Sequence, residues 1–572
     1  MPSKKNGQGE VHGKVFCFGG GRYCINEKAP KMPNWLSATL LSDIIGMTGR
    51  NLPAINEHTR KEMKKDSVIL AKALLALGIK RGDHLLISNN SYPAICFVYA
   101  AARIGVIAVP FDEHASDGAL IDFILKRKTD TFLVINNKTP DFAADFCEKT
   151  AYKCKKVISI NDIPKKSQTK ALDEIYYDFS HLTAIAKKSR KKLPSRCSTG
   201  EPIMLGSSSG TSGEAKFFPY TDKNIIYAAL SSRAASKMPL FSKKREIWLA
   251  VVPLERPYGL LTSVLVPSWG RREIRLMKPT DEINDTLREV DVISCAPDFV
   301  DIVEEKLTIS GYDLTEDGNE KPITFIIGGA SLPAEKIEHF RTFLHQHGFD
   351  AKLCCGYGTS ESCGCISVAV GSTYRPDTVG RLCPGVKVWL RREDGKPYKL
   401  GDIGRLWVSG ENVIEKYDSK IANEKNLLID DNGERWVDTG DYMSLAPSGY
   451  LTFHHSDKDF YFTERHDKIF PKKAEGLISS INGVKKCWVI GDEKRSLSAA
   501  FIAPEENTDP DELIDYICEN IHKLKTENGD LLTTDEVPKY YRIVKLSDLQ
   551  ENEAGKRSKA TKDKLLNLVK EK

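Results

Sequence analysis

Several features that would place the chain in a common protein class are missing from its 572 residues. No run reaches the ~18 apolar residues that a membrane-spanning helix requires. The first ten residues are mainly polar and basic, without an apolar core of signal-peptide length, so we expect a cytoplasmic protein. The net charge is only +5, and the basic runs at 187–192 and 556–572 lie in polar surroundings. We therefore expect no transmembrane segment and no nucleic-acid partner.

The fourteen cysteines lack the spacing of a disulfide framework, and we expect reduced thiols that mostly fill core positions. The tightest group is Cys354, Cys355, Cys363 and Cys365. Adjacent cysteines followed by a C-x-C pair do not match the paired C-x2-4-C spacing of a zinc site. A structural metal is therefore not favoured at this segment.

Hydrophobic residues make up 41% of the chain and charged residues 28%, as in ordinary globular proteins, and the length exceeds one core. Apolar strands alternate with helical segments, for example at His84–Ser88, Pro93–Arg103 and Val106–Pro110. The same order returns at 325–330 (strand), at 334–348 (helix) and in a short strand at 352–355. This alternation predicts an α/β fold with parallel sheets, whose ligands bind beyond the carboxyl ends of the strands.

From about Arg381 the pattern changes to short strands between Gly, Asp and Asn turns, which predicts a small β subdomain. After His455 a charged stretch leads into a compact α+β pattern. We therefore predict a large N-terminal domain at 1–455, with two αβ sheet layers and the β subdomain, and a small α+β domain at 456–572. No internal repeat is evident.

A nucleotide-binding loop is indicated where an apolar run opens at Ile203 into small residues and closes at Lys216. Small residues let backbone N–H groups approach a polyphosphate, and the lysine supplies a point charge. The order differs from the G-x-x-x-x-G-K-[ST] of a Walker loop, so a P-loop phosphotransferase is not expected. By itself the segment is also compatible with a flexible linker. The candidate phosphate-binding residues are Ser208, Ser209, Gly210, Thr211, Ser212 and Gly213.

Two further segments point to the same chemistry. Gly356 to Glu361 follows a strand and offers glycines, an aromatic ring for a purine at Tyr357 and a carboxylate suited to Mg²⁺ at Glu361. The segment from Trp436 to Asp441 is predicted to form a turn whose tip carries a carboxylate that suits the two hydroxyls of a ribose. Each segment alone is also compatible with a plain turn, and it is their order and spacing that make them specific.

With these motifs the chain resembles the adenylate-forming superfamily of acyl-CoA synthetases, firefly-type luciferases and peptide-synthetase adenylation domains, over roughly residues 40 to 560. The 208–216 loop resembles the family's phosphate loop, and Gly328 to Ala330 its adenine-side motif. Residues 357–361 resemble its Y-G-x-T-E motif, with Ser360 in place of threonine, and 439–441 its T-G-D motif. Gly555 and Lys556 resemble its closing G-K motif.

The resemblance implies an acid-thiol ligase that uses ATP, Mg²⁺ and coenzyme A to turn a carboxylic acid first into an acyl adenylate and then into a thioester, as in fatty acid metabolism. Lys556, on a mobile C-terminal domain, would bridge the attacking carboxylate and the α-phosphate. Glu361 with Mg²⁺, and Lys216, would hold the leaving pyrophosphate. The further nucleotide-binding residues implied are Gly329, Ala330, Gly356, Tyr357, Gly358, Ser360 and Asp441.

Besides Ser360, and Ala215 where the phosphate loop usually has proline, two further positions depart from the family pattern. Arg256 stands where the family usually has a histidine near the acyl carboxylate. We count it as a candidate catalytic residue that orients the substrate, and the alternative is that this position has drifted. Ser456 stands where an arginine usually binds the ribose, just before the predicted hinge at Asp457 and Lys458. The glycine that lines the thiol tunnel in relatives is absent from 462–468. Turnover to the thioester is therefore expected to be slow.

Three functions remain open at this point. The first is an acyl-CoA synthetase, the second an adenylating enzyme that transfers to a carrier-protein thiol, and the third a non-catalytic nucleotide- or acyl-binding descendant. The acyl pocket is expected near Tyr258, Ala296, Gly328 to Ser331 and Cys363 to Ile366, where small and apolar residues mix, so the acyl group itself stays unassigned.

Overall fold

The computed structural model describes residues 15–19, 21–25, 51–136, 138–160, 175–194, 200–209, 215–236, 245–265, 267–269, 272–277, 283–311, 320–329, 332, 334–369, 374–456, 461–462, 468–469, 471–492, 497–524, 532, 536–549 and 559–569. The strands are β1 Val15–Gly19, β2 Arg22–Ile25, β3 Pro53–Ile55, β4 His58–Thr59, β5 His84–Ser88, β6 Ile107–Phe111, β7 Thr131–Ile135, β8 Cys154–Ser159, β9 Tyr176–Asp178, β10 Pro202–Ser209, β11 Ala215–Thr221, β12 Glu246–Ala250, β13 Arg272–Leu276, β14 Val292–Cys295, β15 Lys321–Ile327, β16 Phe349–Tyr357, β17 Ser367–Ala369, β18 Arg381–Leu382, β19 Lys387–Arg391, β20 Gly404–Ser409, β21 Leu427–Ile429, β22 Arg435–Leu445, β23 Leu451–Ser456, β24 Tyr461–Phe462, β25 Lys468–Ile469, β26 Val484–Asp492, β27 Leu497–Pro504 and β28 Tyr540–Ile543.

The α-helices are α1 Arg60–Ala76, α2 Tyr92–Ile104, α3 Asp117–Leu125, α4 Pro140–Lys149, α5 Phe179–Lys188, α6 Asp222–Ser236, α7 Asn284–Glu289, α8 Asp298–Ser310, α9 Ala334–Gln346, α10 Lys420–Asn426, α11 Pro471–Ser479, α12 Pro510–Asn520 and α13 Lys559–Asn567. Within the described ranges, no helix is both long and apolar enough to cross a membrane.

Two large sheets carry most of the strands. The first has the order β11-β10-β6-β5-β7-β8-β9 and is parallel except for the β10–β11 hairpin. The second has the order β18-β17-β16-β15-β14-β12-β13-β3-β4 and is parallel from β16 to β3. The predicted α/β fold with parallel sheets is confirmed.

Helix α2 lies in the core that joins the two sheets. It begins with Pro93 in its first turn and ends at Gly105, which has a φ of +73° and so closes the helix in a conformation that glycine adopts readily. Every residue of α2 except Pro93 and Arg103 is buried. A helix that is apolar on all sides must be covered on all sides, and α2 shares its cluster with residues of both sheets, such as Leu85 and Trp248.

A third, antiparallel sheet has the order β1-β2-β19-β20-β22-β21, with β23 added beside β22. It confirms the β pattern expected after Arg381, but that prediction was incomplete because β1 and β2 come from the start of the chain. The sequence carried a signal for them: two apolar runs flank Gly19 to Gly21, the pattern of a hairpin. The strand predicted at 352–355 was also too short, since β16 extends from Phe349 to Tyr357.

The C-terminal strands β26 to β28 form a separate three-stranded sheet, and β24 pairs with β25. Two buried clusters on this part of the chain consist of residues from Ile469 onward, which gives it apolar cores of its own. This agrees with the α+β pattern expected there. The division into domains at 455 stays a prediction.

Stability is expected to fall in mild acid because of His84, at the start of β5. Burial, aided by the Arg127 cation, lowers the pKa of His84 from 6.5 to about 4, so the folded chain holds a neutral imidazole that the unfolded chain would protonate. Linkage then removes ~2 kcal/mol of unfolding free energy between pH 7 and pH 5. Urea titrations of the parent and of His84→Gln across this range should show a shallower pH slope for the variant. Equal slopes would contradict the assignment.

Candidate functional site

The β10–β11 hairpin holds the two ends of the predicted phosphate loop. Ser208 near the end of β10 is the antiparallel partner of Lys216 on β11, so the loop closes over a defined pair of positions. Earlier in β10, position 206 requires glycine, because a Cβ on Gly206 would lie 2.4 Å from a ring carbon of Tyr220. Four of the predicted phosphate-binding residues lie outside the described residues, namely Gly210, Thr211, Ser212 and Gly213. The side chain of Ser209 also lies outside them.

Glu361 meets the phosphate loop directly. It lies in a 3₁₀ turn, Ser360–Ser362, that follows the carboxyl end of β16. Its Oε1 accepts hydrogen bonds from Ser208 Oγ at 2.7 Å and from the Tyr417 hydroxyl at 3.2 Å. Burial and the Glu361 charge raise the pKa of Tyr417, so its phenol stays a neutral donor. Two segments that are 153 residues apart in sequence therefore meet at one carboxylate.

The turn that carries Glu361 is fixed from both sides. Asn412 Nδ2 donates to the carbonyl oxygens of Ser362 at 3.0 Å and Cys365 at 2.7 Å, and it is fully buried. Gly358 packs so closely on Gly364 that an added Cβ would lie 2.3 Å from the Gly364 carbonyl carbon. Gly358 was predicted from the sequence as a position that lets a ligand approach the backbone. In the structure, glycine is also needed there because two backbone segments pack closely against each other.

Lys216 lies beside two residues that the sequence analysis missed. Its Nζ donates to Asn426 Oδ1 at 3.1 Å and lies 5.8 Å from the ring centre of Tyr417. Tyr417 lies just before α10, and Asn426 is the last residue of that helix, 210 residues from Lys216 in sequence. The only local signal for this contact is an aromatic residue, Tyr417, in a mainly polar segment.

Asp441 reaches the same segment as Glu361. The Tyr357 hydroxyl donates to Asp441 Oδ2 at 2.5 Å, and burial together with the Asp441 charge raises the pKa of Tyr357 well above its ordinary value. The structure thus brings Tyr357, Asp441, Glu361 and Ser208 together through contacts along 357–361. Gly356 and Ser360 lie on the same segment, and the Ser360 carbonyl accepts from the Tyr220 hydroxyl at 2.5 Å.

The T-G-D segment is a strand bulge, and the prediction of a turn at 436–441 was wrong. Strand β22 is continuous from Arg435 to Leu445, but Trp407 pairs with Asp438 whereas Arg405 pairs with Tyr442. Gly440, with a φ of +73°, takes up the extra residues of β22. The Thr439 hydroxyl donates to the Leu406 carbonyl at 2.8 Å and accepts from the Asp441 N–H at 3.1 Å. The bulge therefore fixes Asp441.

Ser456 lies directly opposite Asp441 in the β22–β23 pair. It is 8% exposed, and its hydroxyl donates to the Gly440 carbonyl at 3.4 Å. The departure from the family pattern is thus adjacent to the candidate ribose carboxylate. The predicted hinge residues Asp457 and Lys458, and the predicted catalytic Lys556, lie outside the described residues.

The predicted acyl side contains Tyr258 packed on Gly328. The Tyr258 hydroxyl donates to the Ile326 carbonyl at 2.7 Å, and a Cβ on Gly328 would lie 3.2 Å from its ring. Tyr258 begins a π-helix, Tyr258–Leu265, a rare element that is frequent at functional sites. Gly329 has a φ of +91°, whereas Ala330 and Ser331 lie outside the described residues.

Arg256 lies just before that π-helix, among carboxylates. Its Nε is 3.7 Å from Glu255 Oε1. Burial raises the pKa of Asp298, and the Arg256 cation opposes this increase, so the two groups are electrostatic neighbours. The predicted substrate-orienting role of Arg256 stays a prediction.

Comparisons with known proteins identify a family and similar folds. A family model described as AMP-binding enzyme matches residues 48–418. An acyl-CoA ligase of Alternaria alternata is 27% identical over 287 residues, which is 48% of this chain and about half, 48%, of the relative's own length. A long-chain-fatty-acid–CoA ligase of Mycobacterium tuberculosis is 23% identical over 469 residues, covering 78% of this chain and 83% of the relative. The solved structure of ATP-bound MatB from Rhodopseudomonas palustris superposes with a TM-score of 0.73 at 19% identity, over 93% of this chain and 99% of that one.

Proposed function

The chain belongs to the AMP-binding enzyme family, and from that premise we propose that it activates a carboxylic acid with ATP and transfers the acyl group to coenzyme A. In the first step a carboxylate oxygen attacks the α-phosphorus, the bond from that phosphorus to the bridging oxygen breaks, and pyrophosphate leaves. In the second step the thiol sulfur attacks the acyl carbon, AMP leaves, and the thiol proton passes to solvent. The named relatives are acyl-CoA ligases, which supports this choice of acceptor over a carrier protein.

One observation carries the proposal. Ser208, Glu361 and Asp441 come from three distant segments, and the hydrogen bonds Ser208–Glu361 and Tyr357–Asp441 join them through residues 357–361. A phosphate loop, a metal-binding carboxylate and a ribose-binding carboxylate must be this close to act on one nucleotide. Catalysis would then rest on positioning and charge neutralisation, because a carboxylate is a weak nucleophile towards phosphorus.

The donor set around Glu361 suits Mg²⁺. The Glu361 carboxylate and the Ser208 hydroxyl, hydrogen-bonded at 2.7 Å, offer the oxygen atoms that Mg²⁺ prefers, and Mg²⁺ is usually bound by one or two carboxylates together with substrate phosphates. When bound, the ion would neutralise charge on the phosphates. Lys216, on the paired strand, would add a cation for the leaving pyrophosphate, and Arg256 would orient the acid. We propose that the reaction takes place in the cytoplasm.

Product analysis tests the proposal. The full chain, incubated with ATP, Mg²⁺, coenzyme A and a panel of aliphatic and aromatic acids, should release AMP and pyrophosphate in equal amounts with one thioester. The slow turnover expected from Ser456 makes long incubations necessary. Release of ADP and inorganic phosphate would contradict the proposal, and nucleotide binding without turnover for any acid would favour a non-catalytic binding protein.

Lys556→Ala is expected to impair adenylate formation and to spare thioester formation from a supplied acyl adenylate. We place Lys556 on a mobile domain, 456–572, that presents it to the nucleotide in only one of two orientations. The two half-reactions are measured separately in single-turnover experiments. Lys564→Ala is the matched control in the same basic segment, because Lys564 pairs with Asp548 at 2.9 Å. Equal loss in both half-reactions would argue against two orientations.

A further inference from the structure

Arg127 lies just after α3, and its guanidinium is held by one carboxylate and two aromatic rings. It forms an ion pair with Asp418. Its guanidinium carbon lies 4.4 Å from the ring centre of Phe123 and 4.7 Å from that of Phe217. The Arg127 side chain is only 14% exposed, and the two rings meet edge to face at 5.0 Å. A planar guanidinium suits this arrangement, because it stacks on rings and pairs with a carboxylate at the same time.

The two segments that Arg127 contacts are also bonded to each other. The Asp418 N–H donates to the Phe217 carbonyl at 2.9 Å. Phe217 directly follows Lys216, and Asp418 directly follows Tyr417. The guanidinium and this backbone bond therefore lock together two dipeptides, each of which supplies one residue to the candidate site.

Strand geometry explains how the contact reaches the site. Successive side chains of β11 lie on opposite faces of the strand, so seating Phe217 against Arg127 directs Lys216 to the other face, where it meets Asn426. On the second dipeptide Tyr417 is 2% exposed and donates to Glu361, while Asp418 lies at the surface. Arg127 is thus connected to Lys216 through Phe217 and to Glu361 through Asp418 and Tyr417.

We propose that Arg127 is a positioning residue for the adenylation site, which fixes the spacing between Lys216 and the Glu361–Tyr417 pair and so preorganises the pocket for the two terminal phosphates of ATP. This inference rests on the proposed function, because it assigns those phosphates to Lys216 and Glu361. AMP lacks both phosphates. Loss of the Arg127 side chain should therefore weaken the binding of ATP but not the binding of AMP. General damage to the fold would weaken the binding of both nucleotides.

The test compares the binding of ATP with Mg²⁺ and of AMP by calorimetry, using the full chain. Arg127→Gln and Asp418→Asn should each lower the affinity for ATP by about tenfold, which is the scale of one charge-assisted hydrogen bond. The affinity of each variant for AMP should stay within about twofold of that of the parent. The double variant should bind ATP no more weakly than the weaker-binding single variant, because both substitutions remove the same Arg127–Asp418 ion pair. Lys126→Gln is the matched control: Lys126 is the neighbouring residue, and it pairs with Asp122 at the surface.

Asp418→Asn keeps the side chain's shape at an exposed position and remains informative if Arg127→Gln is poorly folded, which thermal unfolding reports. Three results would each overturn the positioning role. They are an unchanged ATP affinity in Asp418→Asn, an equal loss of affinity for ATP and AMP in the variants, and the same loss of ATP affinity in Lys126→Gln. A parent chain that binds neither nucleotide would overturn the proposed function and this inference with it. A parent that binds both, with unaffected variants, would overturn the inference alone.

Discussion

Asp441→Ala is expected to weaken ATP binding by about a hundredfold or more. The Asp441 carboxylate would accept hydrogen bonds from two ribose hydroxyls, each worth ~1.5–3 kcal/mol as a charge-assisted bond. The bulge at Gly440 and the Thr439 hydroxyl hold the Asp441 backbone in place, and the Tyr357 hydroxyl donates to its carboxylate. Calorimetric titration with ATP measures the change.

Tyr357→Phe is the control for Asp441→Ala. It removes the hydroxyl that donates to Asp441 at 2.5 Å but keeps the aromatic ring expected to stack on the purine. ATP affinity should change by no more than about threefold. If Asp441→Ala binds ATP like the parent, the carboxylate does not bind the ribose.

Glu361→Gln is expected to reduce adenylation by a factor on the order of 10² to 10³, the usual effect of removing one group that stabilises developing charge. The amide keeps the shape of the side chain and its contact with Ser208, but it removes the charge that holds a hard cation. Binding of adenosine nucleotides without metal should survive. The measurement is single-turnover adenylate formation across a magnesium titration.

Tyr417→Phe separates the charge of Glu361 from its local support. It deletes the 3.2 Å hydrogen bond to Glu361 and leaves the carboxylate. Its effect on adenylation should be much smaller than that of Glu361→Gln and should not depend on magnesium concentration. Normal adenylation by Glu361→Gln at every magnesium concentration would exclude Glu361 as the metal ligand.

The regular parts of the fold were predictable because local patterns determine them. Residues 84–110 read as strand, helix and strand from hydrophobic runs and from Gly105, and they form β5, α2 and β6 within one or two residues. The antiparallel sheet was only partly predictable. Its β1 and β2 lie more than 360 residues from β19, and sequence patterns alone do not report pairing over that distance.

The site was predictable as motifs but not as contacts. Glu361, Lys216 and Asp441 stood out because their chemistry and neighbours suggest a nucleotide. Tyr417, Asn426 and Arg127 carry no such local signature, and only the folded chain places them beside Glu361, Lys216 and Phe217. The turn predicted at 436–441 was wrong because β22 keeps its cross-strand partners on both sides of a bulge, and these distant partners cannot be read from the segment itself.

Acid-dependent exchange between pyrophosphate and ATP tests the central claim most directly, because it requires a reversible adenylate and no thiol acceptor. The full chain, with ATP, Mg²⁺ and labelled pyrophosphate, should incorporate label into ATP only when a suitable carboxylic acid from a broad panel is added, and Glu361→Gln should abolish most of the exchange. Label incorporation that is independent of any acid, or none with any acid while ATP still binds, would contradict an acid-activating enzyme.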